Sequence, residues 1–244
     1  MRSRLVFFLL VVLQSGGLLL AEPGIVKINS DLEIIRISDH AFIHQSCASL
    51  PKFGRFSSNG LILVDHHQAL LLDTPVTDSL TRDLVSWIED SLHARLTGFV
   101  PNHWHDDCMG GLGFLQSHHV KSYANQMTIE IAESRNIPVP DSGFQDSLRL
   151  QVGEISVLCY YPGAAHSMDN IVVWIPSEKI LFAGCMVKSI DSKSLGNTVD
   201  GDLRAYPETL DRVAAKFHDA QIVIPGHGAW GGMELIRHTR RLIP

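Results

Sequence analysis

The chain reads as an α/β protein, a four-layer αββα sandwich in which two sheets pack face to face and helices cover the outer surfaces. Three observations predict this. Strand-like and helix-like segments follow one another in two series of similar style, and no low-complexity linker or repeat separates them. Metal-ligand residue types stand just past the ends of strand-like runs, at His103, His105, Asp107, His166, Cys185 and His227. Loops at one edge of stacked sheets would bring these together. Finally, 244 residues with 45% apolar and 19% charged content suffice for one domain with a sizeable core, built of two similar halves.

Residues 33–37, 41–43, 61–64 and 69–72 are short apolar runs rich in Ile, Leu and Val and read as strands. Residues 46–60 are polar and glycine-containing and read as a loop. This loop carries Phe53 and Phe56, aromatics that either contact a ligand or pack back onto the domain. A helix is expected over 78–93, because Leu80, Leu84, Ile88 and Leu92 recur at four-residue steps on one face. Residues 96–100 then form a buried strand that delivers the histidine-rich turn. A helix over 110–117, a short strand near Lys121 and a helix over 126–134 complete the first half.

The second half opens with strands at 147–151 and 155–160, and His166 follows the second. Residues 171–175 and 179–183 form a hairpin around Pro176-Ser177-Glu178, with Cys185 after it. A helix over 207–218 has Pro near its start and Leu210, Val213, Ala214 and Phe217 on one face. The strand 221–224 leads to His227, and a helix over 232–242 closes the chain.

Residues 1–21 read as a secretory signal peptide, leaving 22–244 as the mature domain. Arg2 and Arg4 supply a positive start, residues 5–13 are apolar, and Ala21 offers a small residue for cleavage. The apolar run falls short of the about 20 residues that span a bilayer, so no stable membrane association is expected. No cysteine near the cleavage point could carry a lipid. Export places a monomer in the periplasm. Loss of Arg2 and Arg4 takes the net charge from −6 to −8, and no Lys/Arg run is present, so nucleic acid is not an expected partner.

The stretch Asn102-His103-Trp104-His105-Asp106-Asp107-Cys108 is the most informative in the chain. Two imidazoles and a carboxylate at alternating positions put three zinc donors on one short turn. Gly184-Cys185-Met186-Val187-Lys188 adds a thiol, and Gly163-Ala164-Ala165-His166 and Pro225-Gly226-His227-Gly228 each add an imidazole beside glycine. Three His in one set, and Asp, Cys and His in another, suffice for two ions with a solvent position between them. Export implies an oxidising compartment, yet Cys47, Cys108, Cys159 and Cys185 are too widely spaced for a disulfide framework. Cys185 reads as a metal thiolate and Cys159 as core. His40, His44, His66, His67, His93, His118, His119, His218 and His238 lack ligand-like surroundings and read as structural.

With these motifs the chain resembles the class B metallo-β-lactamases, in particular the two-zinc subclass whose second site contains cysteine. The likeness runs from about Ile34 to Ile243. It is carried by Leu72-Asp73-Thr74-Pro75, His103-Trp104-His105-Asp106-Asp107, His166-Ser167-Met168-Asp169-Asn170, Gly184-Cys185-Met186-Val187-Lys188, Gly196-Asn197 and Pro225-Gly226-His227-Gly228. Cys185 sharpens it, since other hydrolases of the superfamily typically carry an aspartate there. One departure is Cys108, where many members of the subclass have Arg. The positive charge that Arg would bring near the second metal is missing.

The resemblance implies the metallo-β-lactamase fold and hydrolysis of the β-lactam amide bond of penicillins, cephalosporins and carbapenems, hence antibiotic resistance. It implies a first zinc held by His103, His105 and His166, and a second held by Asp107, Cys185 and His227. A zinc-bound hydroxide would attack the carbonyl. Asp107, Lys188 and Asn197 would stand nearest the chemistry, Lys188 binding the substrate carboxylate and Asn197 the developing oxyanion. From their place on the 46–60 loop, rather than from the resemblance, Phe53 and Phe56 are expected to touch substrate. Asp73 and Cys108 would lie behind the ligands, Asp73 orienting the histidine turn. No Ser-x-x-Lys motif supports a covalent acyl-enzyme.

Overall fold

The computed structural model describes residues 24–50 and 54–244, so the segment read as a signal peptide and Phe53 lie outside the described residues. The first sheet has eight strands in sequential order: β1 (Ile25–Asn29), β2 (Leu32–Arg36), β3 (Ala41–Leu50), β4 (Gly54–Asp65), β5 (Gln68–Leu72), β6 (Arg95–Val100), β7 (Lys121–Asn125) and β8 (Ser142–Phe144). Strands β1 to β5 pair antiparallel, and β5 to β8 pair parallel. Parallel neighbours need crossovers. Helix α1 (Asp78–Leu92) makes the first, α2 (Asp106–Met109) and α3 (Leu112–Ser117) the second, and α4 (Gln126–Arg135) the third.

The second sheet runs β13-β12-β11-β10-β9, from β9 (Ser147–Val152), β10 (Ile155–Tyr160), β11 (Val172–Ile175), β12 (Ile180–Gly184) and β13 (Ile222–Pro225). Helix α5 (Tyr206–Lys216) connects β12 to its parallel neighbour β13, and α6 (Glu234–Leu242) follows.

Strand alternation builds the layers. On β4 and β5, Leu61, Leu63, Leu70 and Leu72 face the second sheet, where they meet Val157, Cys159, Val173, Phe182 and Ile224. The intervening Ile62 and Leu71 face outward to Leu84, Ile88, Leu112 and Leu115 of α1 and α3. Beyond the second sheet, Val172, Leu181 and Val223 meet Tyr206, Leu210, Leu235 and Ile236 of α5 and α6. This is the expected four-layer αββα order. Full burial of a side chain such as Leu84 or Ile88 contributes roughly 1.5–3 kcal/mol, which is why the four-residue spacing of α1 was visible in sequence. Helix α1 starts where Thr77 Oγ1 accepts the Leu80 N–H and stops at His93 in the left-handed region.

Two expectations are corrected and two strands are added. The loop expected over 46–60 is instead part of a long hairpin of β3 and β4, paired in register from Ala41↔Leu63 to Leu50↔Gly54. Ser46, Ser58 and Asn59 are buried there although polar, because they bond one another and neighbouring loops, so hydropathy hid the strands. Strands β1 and β8 were not anticipated, one largely exposed and the other three residues long. The helix expected over 110–117 begins only at Leu112 as α3, and a separate short helix, α2, precedes it over Asp106–Met109. No helix among the described residues is long and apolar enough to cross a membrane.

Candidate metal centre

The C-terminal ends of β6, β12 and β13 lie at one edge of the sandwich. The loop after β6 presents His103 and His105, and α2 opens with Asp106 and Asp107. The parallel pairing of Gly184 with Pro225 puts Cys185 and His227 side by side. Glycine is required at two of these turns. Gly184 has φ +56°, and a Cβ there would fall 2.3 Å from the Asn102 side chain. At Gly226 a Cβ would fall 2.3 Å from Cys185 Sγ. His166 comes from the loop between β10 and β11.

His103, His105 and His166 form one cluster, with ring centroids 4.5–5.4 Å apart. His103 Nε2 and His105 Nδ1 face each other at 2.8 Å, and the opposite nitrogen of each is already engaged. His105 Nε2 lies 3.0 Å from Asp200 Oδ2, and His103 Nδ1 lies 3.3 Å from Asn102 Oδ1 and 3.2 Å from Cys108 Sγ. Two lone pairs converge while both outer nitrogens are occupied, the arrangement of imidazoles prepared for a cation. Burial, reinforced by neighbouring imidazoles, pulls His103 down to about 3 and His166 well below the ordinary histidine value, so both are neutral imidazoles. His166 Nδ1 is buried without a partner.

Asp107, Cys185 and His227 form the second cluster, their donor atoms all within 4.8 Å of one another. Cys185 Sγ lies 3.4 Å from Asp107 Oδ2 and 3.3 Å from His227 Nε2, and His227 Nε2 lies 3.1 Å from Asp107 Oδ2. A hydrogen bond with Cys108 lowers the Cys185 thiol to about 6 against the penalty of burial, and His227 adds to the effect. Cys108 goes the other way, desolvation and its bond to Cys185 raising it well above the normal thiol value. Asp107 is buried, which would raise it, but His227 and the neighbouring imidazoles hold it far below the usual carboxylate range. Burial alone would lower His227, but the Cys185 and Asp107 charges raise it well above the usual value. Such a compact group of two anions and an imidazolium exchanges its proton readily for a dication.

The β3–β4 hairpin supports this second cluster. His227 Nδ1 donates to Ser57 O at 2.6 Å, and the Asn59 side-chain amide donates to Pro225 O at 2.9 Å and Gly228 O at 2.8 Å, one on each side of His227. Under the histidine turn, Asp73 Oδ1 accepts the Asn102 N–H, as expected of it. Asp73 itself is left-handed with φ +59°, and His44 Nε2 donates to its carbonyl at 3.0 Å. Buried Asp169 accepts the Trp104 N–H, fixing the residue between the two histidines. Ser57, Asn59, Asp169 and Asp200 were not singled out from sequence, and His44 was read only as structural. Only Asp169, inside the His166 motif, stood in a recognisable context.

Both clusters open onto a cleft of about 440 Å³ lined by Phe56, Trp104, His166, Lys188, Asn197, Val199 and His227. Phe56 stands at one wall with its ring 6.0 Å from that of His227. Lys188 is almost fully buried, and desolvation lowers its pKa against the pull of Cys185 and Asp107. A hollow of about 610 Å³ between α1 and α3, lined by Arg82, Glu89, His118 and His119, lies away from both clusters.

No family model matches the chain. Among known proteins it is 51% identical over 218 residues to a type 2 metallo-β-lactamase of Bacteroides fragilis, covering 89% of this chain and 88% of that one. A type 2 metallo-β-lactamase of Bacillus cereus is 32% identical, over 87% of this chain and 82% of its own. The chain belongs to the metallo-β-lactamase family. Its fold is that of the family's solved members. The metallo-β-lactamase of Pontibacter korlensis superimposes with a TM-score of 0.83 at 35% identity, over 87% of this chain and 98% of that one. The expected enzyme class, a metal-dependent hydrolase of the β-lactam ring, is therefore the class to which this chain belongs. The donors suit a metallo-β-lactamase: neutral imidazoles in one cluster and thiolate, carboxylate and imidazole in the other are ligands that zinc accepts.

Proposed function

We propose that the protein is a periplasmic, monomeric two-zinc β-lactamase that opens penicillins, cephalosporins and carbapenems. The carrying observation is the pair of donor clusters, three imidazoles packed ring to ring beside Asp107-Cys185-His227, opening on one cleft with a buried ammonium in its wall. Zinc held there supplies a Lewis acid for the amide carbonyl and acidifies water to a pKa of about 7. His103, His105 and His166 hold one ion, with Asp200 and Asn102 setting the tautomers of His105 and His103. Asp107, Cys185 and His227 hold the other.

The remaining residues bind and orient. Lys188, little hydrated in its pocket, pairs with the carboxylate that β-lactams carry beside the ring. Asn197 in the same cleft donates its amide to the carbonyl oxygen as charge develops there. Phe56 and Val199 give the cleft apolar walls that exclude water from the variable side chains of the substrate. Carbapenem turnover by the purified protein, measured with and without a chelator, tests the proposal. Loss on chelation and recovery with about two zinc equivalents per chain are expected, and full activity after exhaustive metal removal would sink it.

A further inference from the structure

Residues 185–197 carry Cys185, Lys188 and Asn197 but form no helix or strand, so their positions depend on what ties their backbone down. The ties come from the outer helices. Tyr206 Oη of α5 donates to Met186 O at 2.7 Å. The Lys188 N–H donates to Thr239 Oγ1 of α6 at 2.8 Å, and His238 Nε2 donates to Ser192 O at 2.9 Å. Two consecutive residues of one helix therefore hold both ends of the Lys188–Ser192 segment.

We propose that Thr239 is a positioning residue for substrate affinity, setting where the Lys188 ammonium stands in the cleft. The inference rests on the reading of Lys188 as the carboxylate-binding group. Thr239 is fully buried beside Leu235 and Ile236, a hydroxyl in an otherwise apolar stripe. Its one proton goes to Leu235 O at 2.8 Å, the common back-bond of a helical threonine, so the oxygen can only accept from Lys188. An amide can only donate, hence a non-acceptor at 239 leaves a buried N–H unpaired and frees the backbone of Lys188. A lysine ammonium is a point charge on a flexible stem, and its location is fixed only as well as its backbone and stem are.

The test is steady-state kinetics of Thr239→Val, Thr239→Ser, Lys188→Ala and the Lys188→Ala/Thr239→Val double variant on a cephalosporin with a free carboxylate, at matched zinc content. Thr239→Val should raise KM about three- to tenfold while kcat changes less than about twofold. Thr239→Ser, which keeps the acceptor, should restore the wild-type KM. In the Lys188→Ala background Thr239→Val should leave KM unmoved, since the charge it positions is gone. If Lys188→Ala raises KM but Thr239→Val does not, or if the valine penalty is equal in both backgrounds, the inference about Thr239 is overturned alone. An unchanged KM in Lys188→Ala removes the reading beneath it instead. Should the valine variant not fold, Thr239→Ala is read the same way, and hydrogen exchange of the Lys188 amide decides: rapid exchange in the wild-type protein overturns the proposal.

Discussion

Two thiols in contact at the metal centre have opposite fates. Cys185 is the anionic member, held down by Cys108 and His227, while Cys108 is kept protonated by burial and by Cys185 itself. Cys108 also touches the outer nitrogen of His103, so the residue expected near the second metal borders both clusters. Cys185→Ser replaces a soft anion by a neutral hydroxyl and should strip the second metal, whereas Cys108→Ser should keep both metals and most turnover. Zinc stoichiometry at fixed free zinc checks this, and the reverse pattern would refute the ligand assignment. His44 supports a pH prediction. Burial lowers it to about 4, and its Nδ1 has no partner, so the folded chain resists a proton that the unfolded chain accepts near 6.5. Stability should therefore fall as pH drops from about 6.5 toward about 4, by a few kcal/mol from this residue. His44→Gln, which retains a donor toward Asp73 O, should flatten that part of the Tm-against-pH curve. A curve of unchanged slope would exclude His44 as a contributor.

The β3–β4 hairpin is the element that most changes the picture. At one end it carries Phe56 into the cleft, and nearby it grips the His227 loop through Ser57 O and the Asn59 amide. One hairpin thus forms part of the cleft wall and holds the His227 loop by hydrogen bonds. Asn59→Ala removes both bracketing bonds from the carbonyls beside His227. Loss of such an outer partner commonly costs about 10- to 100-fold in metal affinity. That loss is expected at the Asp107-Cys185-His227 cluster alone, with affinity at the three-histidine cluster retained. Competition titration with a chromophoric chelator resolves the two steps, and equal weakening of both would mean that Asn59 acts on the whole edge of the sandwich.

Each cluster takes ligands from both halves of the molecule. His103, His105 and Asp107 follow a strand of the first sheet, and His166, Cys185 and His227 follow strands of the second. Metal binding is therefore coupled to the docking of the two sheets. A ligand that binds only the folded state stabilises it, and without an ion the Asp107 and Cys185 charges are offset only by the His227 imidazolium. Chelation should lower Tm by at least about 5 °C, since each kcal/mol shifts a domain of this size by about 2–4 °C. Differential scanning calorimetry of the metal-loaded and stripped protein gives the value, and an unchanged Tm would uncouple the metals from the fold.

The amino-acid order by itself determined what is local. The four-residue spacing of Leu80, Leu84, Ile88 and Leu92, the apolar strands and the His103–Asp107 turn follow from side-chain periodicity and donor chemistry within a few residues, and they sufficed to propose the layers, while the assignment of six ligands to two ions came from the family resemblance. Only the tertiary structure decided which nitrogen of His105 and of His227 is free, because that depends on Asp200, 95 residues from His105, and on Ser57 O, 170 residues from His227. The buried polar hairpin of β3 and β4 was invisible for the same reason. Its serines and Asn59 look like loop residues until their partners across the fold satisfy them. A backbone carbonyl is identical at every position, so no residue type announces that it will be the acceptor.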